Sequence, residues 1–380
     1  MRFLHMSDLH FGKKLLERDL TADTAFSVEY MIEKAASERV DAIFISGDIY
    51  DKSVPSAEAV SYVDEFLSHI KSTNIKTYII AGNHDSQERL SYCAGMLEEF
   101  NIHIITKPRL KIKRYEVCDE YGSVNIYMLP FVKASVVRNL LETSGKAEEA
   151  EKIKTVADAV KCLIKNTNID YSARNILLTH QLIAGASTCD SEEIFVGGTG
   201  AVPSDIFAGF DYVALGHLHG PQKVSKNYIR YSGSPLKYSF SEVAHKKTAV
   251  LAEMSEKGCI EINTIPYKTL CDMSEIKGSL SDILVAPATD DYLRVILTDS
   301  IPPINSVSLL REKFKNLLQV SLENDSSEES GALIPDISQK DFESKSVMDL
   351  FCDFYELQSG SKPSKEQEKI LEEFLRRDMQ

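Results

Sequence analysis

The sequence predicts an α/β protein built as a two-sheet sandwich flanked by helices, followed by a small α+β unit and a helical segment. Three observations lead to this prediction. Short apolar runs rich in β-branched residues alternate with segments of helical spacing over the first 268 residues. That alternation is typical of a mainly parallel sheet. A block of consecutive short strands interrupts it, and the pattern breaks near residue 268.

The first part of the chain reads as strand, helix, strand, helix, strand. Residues 2–6 form an apolar run, and residues 24–38 follow with apolar side chains at helical spacing. A second buried strand is expected over 41–46, and it leads to a helix over 55–71. The run 77–81 predicts a third buried strand that ends in a tight turn.

A second sheet is expected after that turn. Residues 87–100 have helical spacing, and the chain then changes to short alternating segments at 102–105, 110–115 and 124–129. Strands that follow one another without helices indicate pairing in a separate sheet. Residues 134–166 return to a charged, helical pattern.

Two more buried strands are expected, over 175–179 and 212–215, with a glycine-rich loop at 185–200 between them. Their apolar runs are short and bounded by glycine or polar residues, as buried strands are. Three later strands complete this part of the chain, at 228–232, 247–254 and 259–265.

The last third of the chain has a different organisation. We predict one large domain over 1–268 and a small α+β domain over 269–325, the latter with strands at 291–299 and 318–322 around a helix at 307–317. Residues 326–345 are expected to be a linker. Residues 346–380 are expected to form two helices, opened by Ser346-x-x-Asp349 and Ser364-x-x-Gln367.

Composition limits the classes of protein that fit. The net charge is −14, and residues 269–380, with 12 basic and 22 acidic residues, carry −10 of it. Bulk charge therefore does not favour a nucleic-acid partner, although bound divalent cations can supply a positive field. The seven cysteines are scattered and contain no Cys-x-x-Cys pair, which suits a reducing cytoplasm. Neither a membrane span nor a signal peptide is expected.

Each of the five buried strands ends in Asp, His or Asn, and we expect these side chains to gather at one sheet edge. In an extended chain, Asp8-x-His10 and His217-x-His219 would each point two ligands to one side. Imidazoles, carboxylates and one amide suit manganese, iron or zinc, and the set is too large for a single tetrahedral ion. The candidates are Asp8, His10, Asp48, Asn83, His84, His180, His217 and His219.

Two ions bridged by a shared carboxylate account for this set, and Asp48 is the natural bridge. His84 lies beside one candidate ligand and beside Asp85. Asp85 could orient the His84 ring and raise its basicity. His84 could then stabilise charge on a phosphate or protonate a leaving oxygen.

Taken singly, these motifs are weak, since most Asp-x-His triplets are surface turns. His5 is expected to be a core residue, and His69, His103 and His245 are expected to be structural or on the surface. The basic stretch from Lys107 to Arg114 could contact phosphate, but a solvated face is the better interpretation.

The order Asp-x-His, Gly-Asp, Gly-Asn-His-Asp, His, Gly-His-x-His resembles that of the calcineurin-like metallophosphoesterases over residues 1 to about 268. Longer stretches are similar to the SbcD branch of that family, the nuclease subunits of bacterial SbcCD complexes. These stretches are Leu4–His10, Gly47–Asp51, Gly82–Ser86, Phe207–His219 and Gly233–Phe240.

The resemblance implies two divalent metal ions, most often manganese in this family. It implies one ion between Asp8, His10, Asp48 and His219, and a second between Asp48, Asn83, His180 and His217, with His84 acting on the substrate. Archaeal and eukaryotic relatives have a His three residues after the bridging Asp. This chain has Asp51 there, so a second histidine acting on the substrate is not expected.

The resemblance also implies activity and partners. Residues 1–268 would be the nuclease domain and 269–325 a capping domain that helps to shape the DNA groove. The expected reaction is phosphodiester hydrolysis in DNA, as an exonuclease on duplex ends and an endonuclease on single strands or hairpins, in repair and recombination. The terminal helices resemble the segment that binds SbcC, an SMC-like ATPase. A homodimer within a heterotetramer would use the helices near 53–71 and 87–100.

Two other hypotheses remain open from the sequence. A small-molecule phosphodiesterase or phosphatase could use the same metal core, although it would need no terminal docking helices. An inert scaffold would require a missing ligand, and none of the expected set is missing.

Overall fold

Two six-stranded sheets pack face to face and form the sandwich that the sequence predicts. The structure, a computed structural model, describes residues 1–192, 200–299, 303, 305–323, 348, 352, 355, 363–365, 367 and 369. Within these residues, every helix is too short or too polar to cross a membrane.

The first sheet contains the three N-terminal strands that were expected to be buried. They lie side by side and parallel, and their residues are almost all buried because helices cover one face and the second sheet the other. Two antiparallel strands complete one side. In spatial order the strands are Ile260–Pro266, Thr248–Met254, Arg2–Met6, Ala42–Ser46, Lys76–Ile80 and Ile102–Ile105.

The second sheet has a parallel centre and an antiparallel strand at each edge. In spatial order its strands are Gln222–Val224, Lys226–Tyr231, Tyr212–Gly216, Arg174–His180, Gly122–Leu129 and Lys113–Asp119. Segment 102–105 was predicted to lie in this sheet, and that prediction is wrong. It pairs in parallel with Lys76–Ile80 at the edge of the first sheet.

Three apolar cores hold the layers together. The central core lies between the two sheets and is rich in aromatic side chains, among them Phe3, Phe44, Tyr78 and Tyr212. Each of two outer cores lies between one sheet and the helices that cover it. Both faces of the central strands are therefore buried, which explains why these strands read as continuous apolar runs.

Two predicted helices are interrupted in the structure. The helix expected over 87–100 is broken because Cys93 has a left-handed backbone (φ 59°), through which a right-handed helix does not continue. The helical region expected over 134–166 breaks at Gly145 (φ 75°), and a capping box of Thr155 and Asp158 starts its last helix. The helices of the sandwich are Thr21–Ser37, Ala57–Thr73, Gln87–Leu90, Ala94–Leu97, Ala134–Thr143, Ala147–Ala150 and Val156–Thr167.

The region after residue 268 is α+β, as predicted, and it contains two elements that the sequence pattern did not reveal, Met273–Gly278 and Leu280–Val285. A three-stranded sheet has the order Met273–Gly278, Tyr292–Leu297, Leu317–Leu322, and Ser306–Lys313 is its second helix.

The described chain divides into two compact units. One takes in 1–276, 287–294 and 310–319, and the other takes in 277–286 and the described residues within 295–309 and from 320 onward. The linker over 326–345 and most of the two helices expected over 346–380 lie outside the described residues. Ser364 and Gln367 do form the reciprocal hydrogen bonds of the expected capping box.

Candidate metal centre

All the candidate ligands lie at the ends of buried strands, but they come from both sheets. Asp8, Asp48 and Asn83 follow three strands of the first sheet, whereas His180 ends a strand of the second sheet and His217 follows another. The prediction that a single sheet edge gathers them is therefore wrong. The carboxyl ends of the two sets of parallel strands meet at one end of the sandwich and form the site between them.

The backbone that presents these side chains is not extended, so the expectation based on strand alternation is also wrong. Asp8, His10 and Asp48 have left-handed conformations (φ 55°, 47° and 52°), and His217 has φ 107°. Backbone hydrogen bonds from Asp8 N to Gly47 O and from His10 N to Asp48 O, both 3.0 Å long, hold these turns. Left-handed non-glycine residues cost free energy and concentrate at functional sites.

One group of ligand atoms, here called the first cluster, consists of Asp8, His10 and His219. The Nε2 atoms of His10 and His219 lie 3.2 Å apart. A carboxylate oxygen of Asp8 lies within 4.8 Å of both rings' ligand atoms. Two imidazole nitrogens and a carboxylate that converge in this way can hold a divalent cation.

The second cluster consists of Asn83, His180 and His217. The Asn83 Oδ1 atom lies 2.9 Å from His180 Nε2 and 3.0 Å from His217 Nδ1. Its donor atoms are two nitrogens and an amide oxygen, which again suit a divalent cation.

Asp48 connects the two clusters. Its Oδ2 atom lies 3.6 Å from His10 Nε2 and 3.3 Å from His180 Nε2. Its other oxygen, Oδ1, accepts a hydrogen bond of 2.9 Å from the backbone N–H of His84, which fixes the orientation of the carboxylate. A single oxygen atom is thus available to both clusters.

The electrostatics of the centre suit added positive charge. Burial raises the pKa of Asp8 to about 6. Burial would raise the pKa of Asp48 as well, but the neighbouring histidines, His180 first, together outweigh it and hold that pKa well below its usual range. Burial alone would lower the pKa of His180, but Asp48 raises it to about 9. Burial lowers the pKa of His10 and that of His217, the latter to about 3, so both keep a lone pair for a ligand bond at neutral pH.

The rings are oriented as ligands require. His180 Nδ1 lies 2.7 Å from the carbonyl oxygen of Ser46, to which it donates, so that Nε2 faces Asp48. His219 Nδ1 lies 2.6 Å from Ser191 Oγ. The residues present therefore fit two divalent cations in donor type and orientation, and a cation held by His180 would replace the proton that Asp48 stabilises on that ring.

His84 lies beside the first cluster, with its ring centroid 4.9 Å from that of His10. The group that orients it is the backbone carbonyl of Asp51, 2.8 Å from Nδ1. The prediction that Asp85 orients this ring is wrong, because both carboxylate oxygens of Asp85 accept backbone N–H groups, those of Ile49, Tyr50 and Gly82. Asp85 therefore fixes the two turns that carry Asp48 and Asn83.

The histidines expected to be structural lie outside both clusters. His5 is fully buried in the central core, with Nδ1 3.0 Å from the Tyr212 hydroxyl. His103 stacks on Tyr78 at 5.0 Å. In the basic stretch, Lys107 is exposed and pairs with Glu88 at 2.9 Å, as expected of a solvated face.

Sequence reasoning missed the residues behind His219. Ser191 and Lys247 hydrogen-bond to it directly and Glu242 is linked to it through Ser191, yet the three lie in loops and a short 3-10 helix without a ligand-like spacing. The sequence offered one indication of these residues: Glu242 and Lys247 come just after the Gly233–Phe240 stretch.

Comparisons with known proteins agree with this site. The family model described as calcineurin-like phosphoesterase matches residues 1–221. A second model, described as the type 5 capsule protein repressor C-terminal domain, matches residues 270–359. The SbcD subunit of the nuclease SbcCD from Staphylococcus epidermidis is 31% identical over 329 residues, which cover 84% of this chain and 85% of that protein.

Solved structures show weaker similarity. GAP50, the anchor in the inner membrane complex of Plasmodium, has a TM-score of 0.44 and 14% identity over 70% of this chain and 84% of its own. A dimetal phosphatase from Danio rerio has a TM-score of 0.40 and 12% identity over 70% of this chain and 99% of its own.

The substitution Gly82→Ala tests whether metal binding depends on the position of the Asp48 carboxylate. A Cβ atom at residue 82 would lie 2.1 Å from Asp48 Oδ1, so Gly82→Ala must displace the shared carboxylate. With manganese(II) as the probe, we expect the affinity measured by calorimetry to fall roughly 10- to 100-fold at both clusters. Gly95→Ala is the matched control, because a Cβ there meets nothing within 4 Å. Tight binding of two ions by Gly82→Ala would contradict the bridging position of Asp48.

Proposed function

The chain belongs to the calcineurin-like phosphoesterase family and to its SbcD branch, and from that premise we propose that it is the nuclease subunit of an SbcCD-type complex. The reaction is hydrolysis of DNA phosphodiester bonds. The observation that carries this proposal is the Asp48 carboxylate, whose Oδ2 atom lies within 3.6 Å of a nitrogen in each cluster.

The proposed cofactors are two manganese ions. When bound, they would activate water and clamp the attacking and leaving oxygens of a phosphate displacement. In this proposal Asp8, His10 and His219 hold one ion, and Asn83, His180 and His217 hold the other. Asp48 is a ligand to both. The left-handed turns at Asp8 and Asp48 support it, since the carboxylates they carry lie together with the His180 ring, with ligand atoms within 4.8 Å of one another.

His84 is proposed to act on the substrate. Its Nδ1–H donates to the carbonyl oxygen of Asp51, so its Nε2 atom remains for the phosphate. The side chain is partly exposed, whereas those of His10 and His219 are buried. With a proton on Nε2 as well, the imidazolium ring can stabilise negative charge on the phosphate or pass that proton to the leaving oxygen and return to the neutral form.

DNA is favoured over a small phosphodiester by the kinship with a nuclease subunit. The acidic net charge of −14 is compatible with this substrate if a partner supplies much of the DNA-binding surface. An SbcC-like ATPase is the proposed partner, and residues 346–380 are the proposed contact. A protein acting on bacterial DNA would work in the cytoplasm.

A homodimer is proposed through an apolar surface formed by Ala57–Thr73 and the segment 87–100. The two segments border a groove of about 660 Å³. Large side chains are exposed along it, Tyr92 at 81% and Val60 at 46%. Contiguous apolar patches of this kind mark protein–protein contacts.

The His84 proposal predicts a separation of metal binding from catalysis. We expect His84→Ala to bind two manganese ions with wild-type affinity and to cleave linear duplex and hairpin DNA at least roughly 100-fold more slowly. Asn83→Ala should instead weaken binding of one ion. Calorimetry and a nuclease assay, with and without the ATPase partner, measure the two effects.

Loss of both ions in His84→Ala would show that His84 is a ligand. Turnover of cyclic nucleotides or p-nitrophenyl phosphodiesters by the wild type, without cleavage of DNA alone or with the partner, would contradict the nuclease proposal and favour a small-molecule phosphodiesterase.

The dimer proposal is tested by Tyr92→Glu, which places a charge in the centre of the apolar surface. We expect the variant to sediment as a monomer at concentrations where the wild type is a dimer, because an unpaired charge at an interface costs several kcal/mol. Leu270→Glu, at a residue 55% exposed elsewhere on the chain, is the control. Dimerisation of Tyr92→Glu at wild-type strength would exclude this surface.

A further inference from the structure

A buried charged pair lies behind the first cluster. Glu242 has no exposed surface, and its carboxylate contacts the ammonium group of Lys247, which is also buried. The backbone N–H of Tyr238 donates to Glu242 Oε1 at 3.1 Å. Burying two charges costs free energy unless their hydrogen bonds are satisfied. We therefore ask what a buried pair does at this position.

Lys247 of this pair and two neighbouring residues hold His219 on several sides. Lys247 Nζ donates to the carbonyl oxygen of His219 at 2.8 Å. The backbone N–H of His219 donates to Glu192 Oε1 at 2.6 Å. The ring nitrogen Nδ1 lies 2.6 Å from Ser191 Oγ. Backbone and ring of this one ligand are thus both held.

The direction of the hydrogen bonds fixes the proton on the ring. The hydroxyl of Ser191 donates to Glu242 Oε1 at 2.5 Å, because the carboxylate can only accept. The same oxygen of Ser191 then accepts from His219, which places the hydrogen on Nδ1. The lone pair is consequently on Nε2, the atom that lies 3.2 Å from His10 Nε2.

We propose that Ser191 and Glu242 are positioning residues for the metal centre: through the chain Glu242–Ser191–His219 they fix the tautomer and rotation of His219. Glu242 Oε1 lies 3.7 Å from His219 Nδ1, too far for a direct hydrogen bond, so the Ser191 hydroxyl is the necessary link. The inference rests on the proposed metal centre and adds that the first cluster's affinity is set from outside the ligands.

The test uses the full-length protein, freed of metal and titrated with manganese(II) alone. In Ser191→Ala we expect one of the two binding events to weaken roughly 10- to 100-fold, the usual effect of losing such an outer partner, and the other to stay unchanged. Ser191→Thr, which keeps the hydroxyl, should restore wild-type affinity. Ser239→Ala is the matched control, because Ser239 Oγ also donates to Glu242 Oε1, at 3.3 Å, but does not contact His219.

A second readout is the ¹⁵N spectrum of the histidine rings in the metal-free protein. Nδ1 of His219 should be protonated in the wild type and in Ser239→Ala, and the tautomers should mix in Ser191→Ala. Wild-type affinities in Ser191→Ala, or equal losses in Ser191→Ala and Ser239→Ala, would overturn the inference. If the wild type binds two ions but does not cut DNA, the proposed nuclease function fails and this inference stands.

Discussion

The site depends on one carboxylate that two clusters of candidate ligands share. Asp48 must lie between His10, which follows a strand of the first sheet, and His180, which ends a strand of the second. This is possible only if the carboxyl ends of both sets of parallel strands meet at the same end of the sandwich. The aromatic core between the sheets keeps them in that arrangement.

The order of elements and the set of candidate ligands could be predicted from the sequence because both depend on local signals. Buried parallel strands read as apolar runs, and a His or Asp at the end of such a run is conspicuous. The single-edge prediction failed because strand pairing is not local: nothing in the spacing shows that the strands ending near Asp48 and His180 belong to different sheets. The left-handed backbone at Asp8 was likewise invisible, since that conformation is uncommon even for Asp, although Asp adopts it more often than most residues.

The second layer of the site could not be predicted for a related reason. Adjacent residues suggest a pair, and Asp85 beside His84 suggested an orienting contact. In the folded chain Asp85 binds three backbone N–H groups, and His84 is oriented by the carbonyl of Asp51. Every residue has a backbone carbonyl, so no residue type in the sequence indicates which carbonyl will orient a side chain.

The central claim is that two cations share Asp48. Anomalous X-ray diffraction at the manganese edge, from crystals grown with manganese(II), tests it most directly. The account predicts two anomalous peaks about 3.5–4 Å apart, each within bonding distance of Asp48 and one at each cluster. A single peak, or two peaks of which one lies away from Asp48, would contradict it.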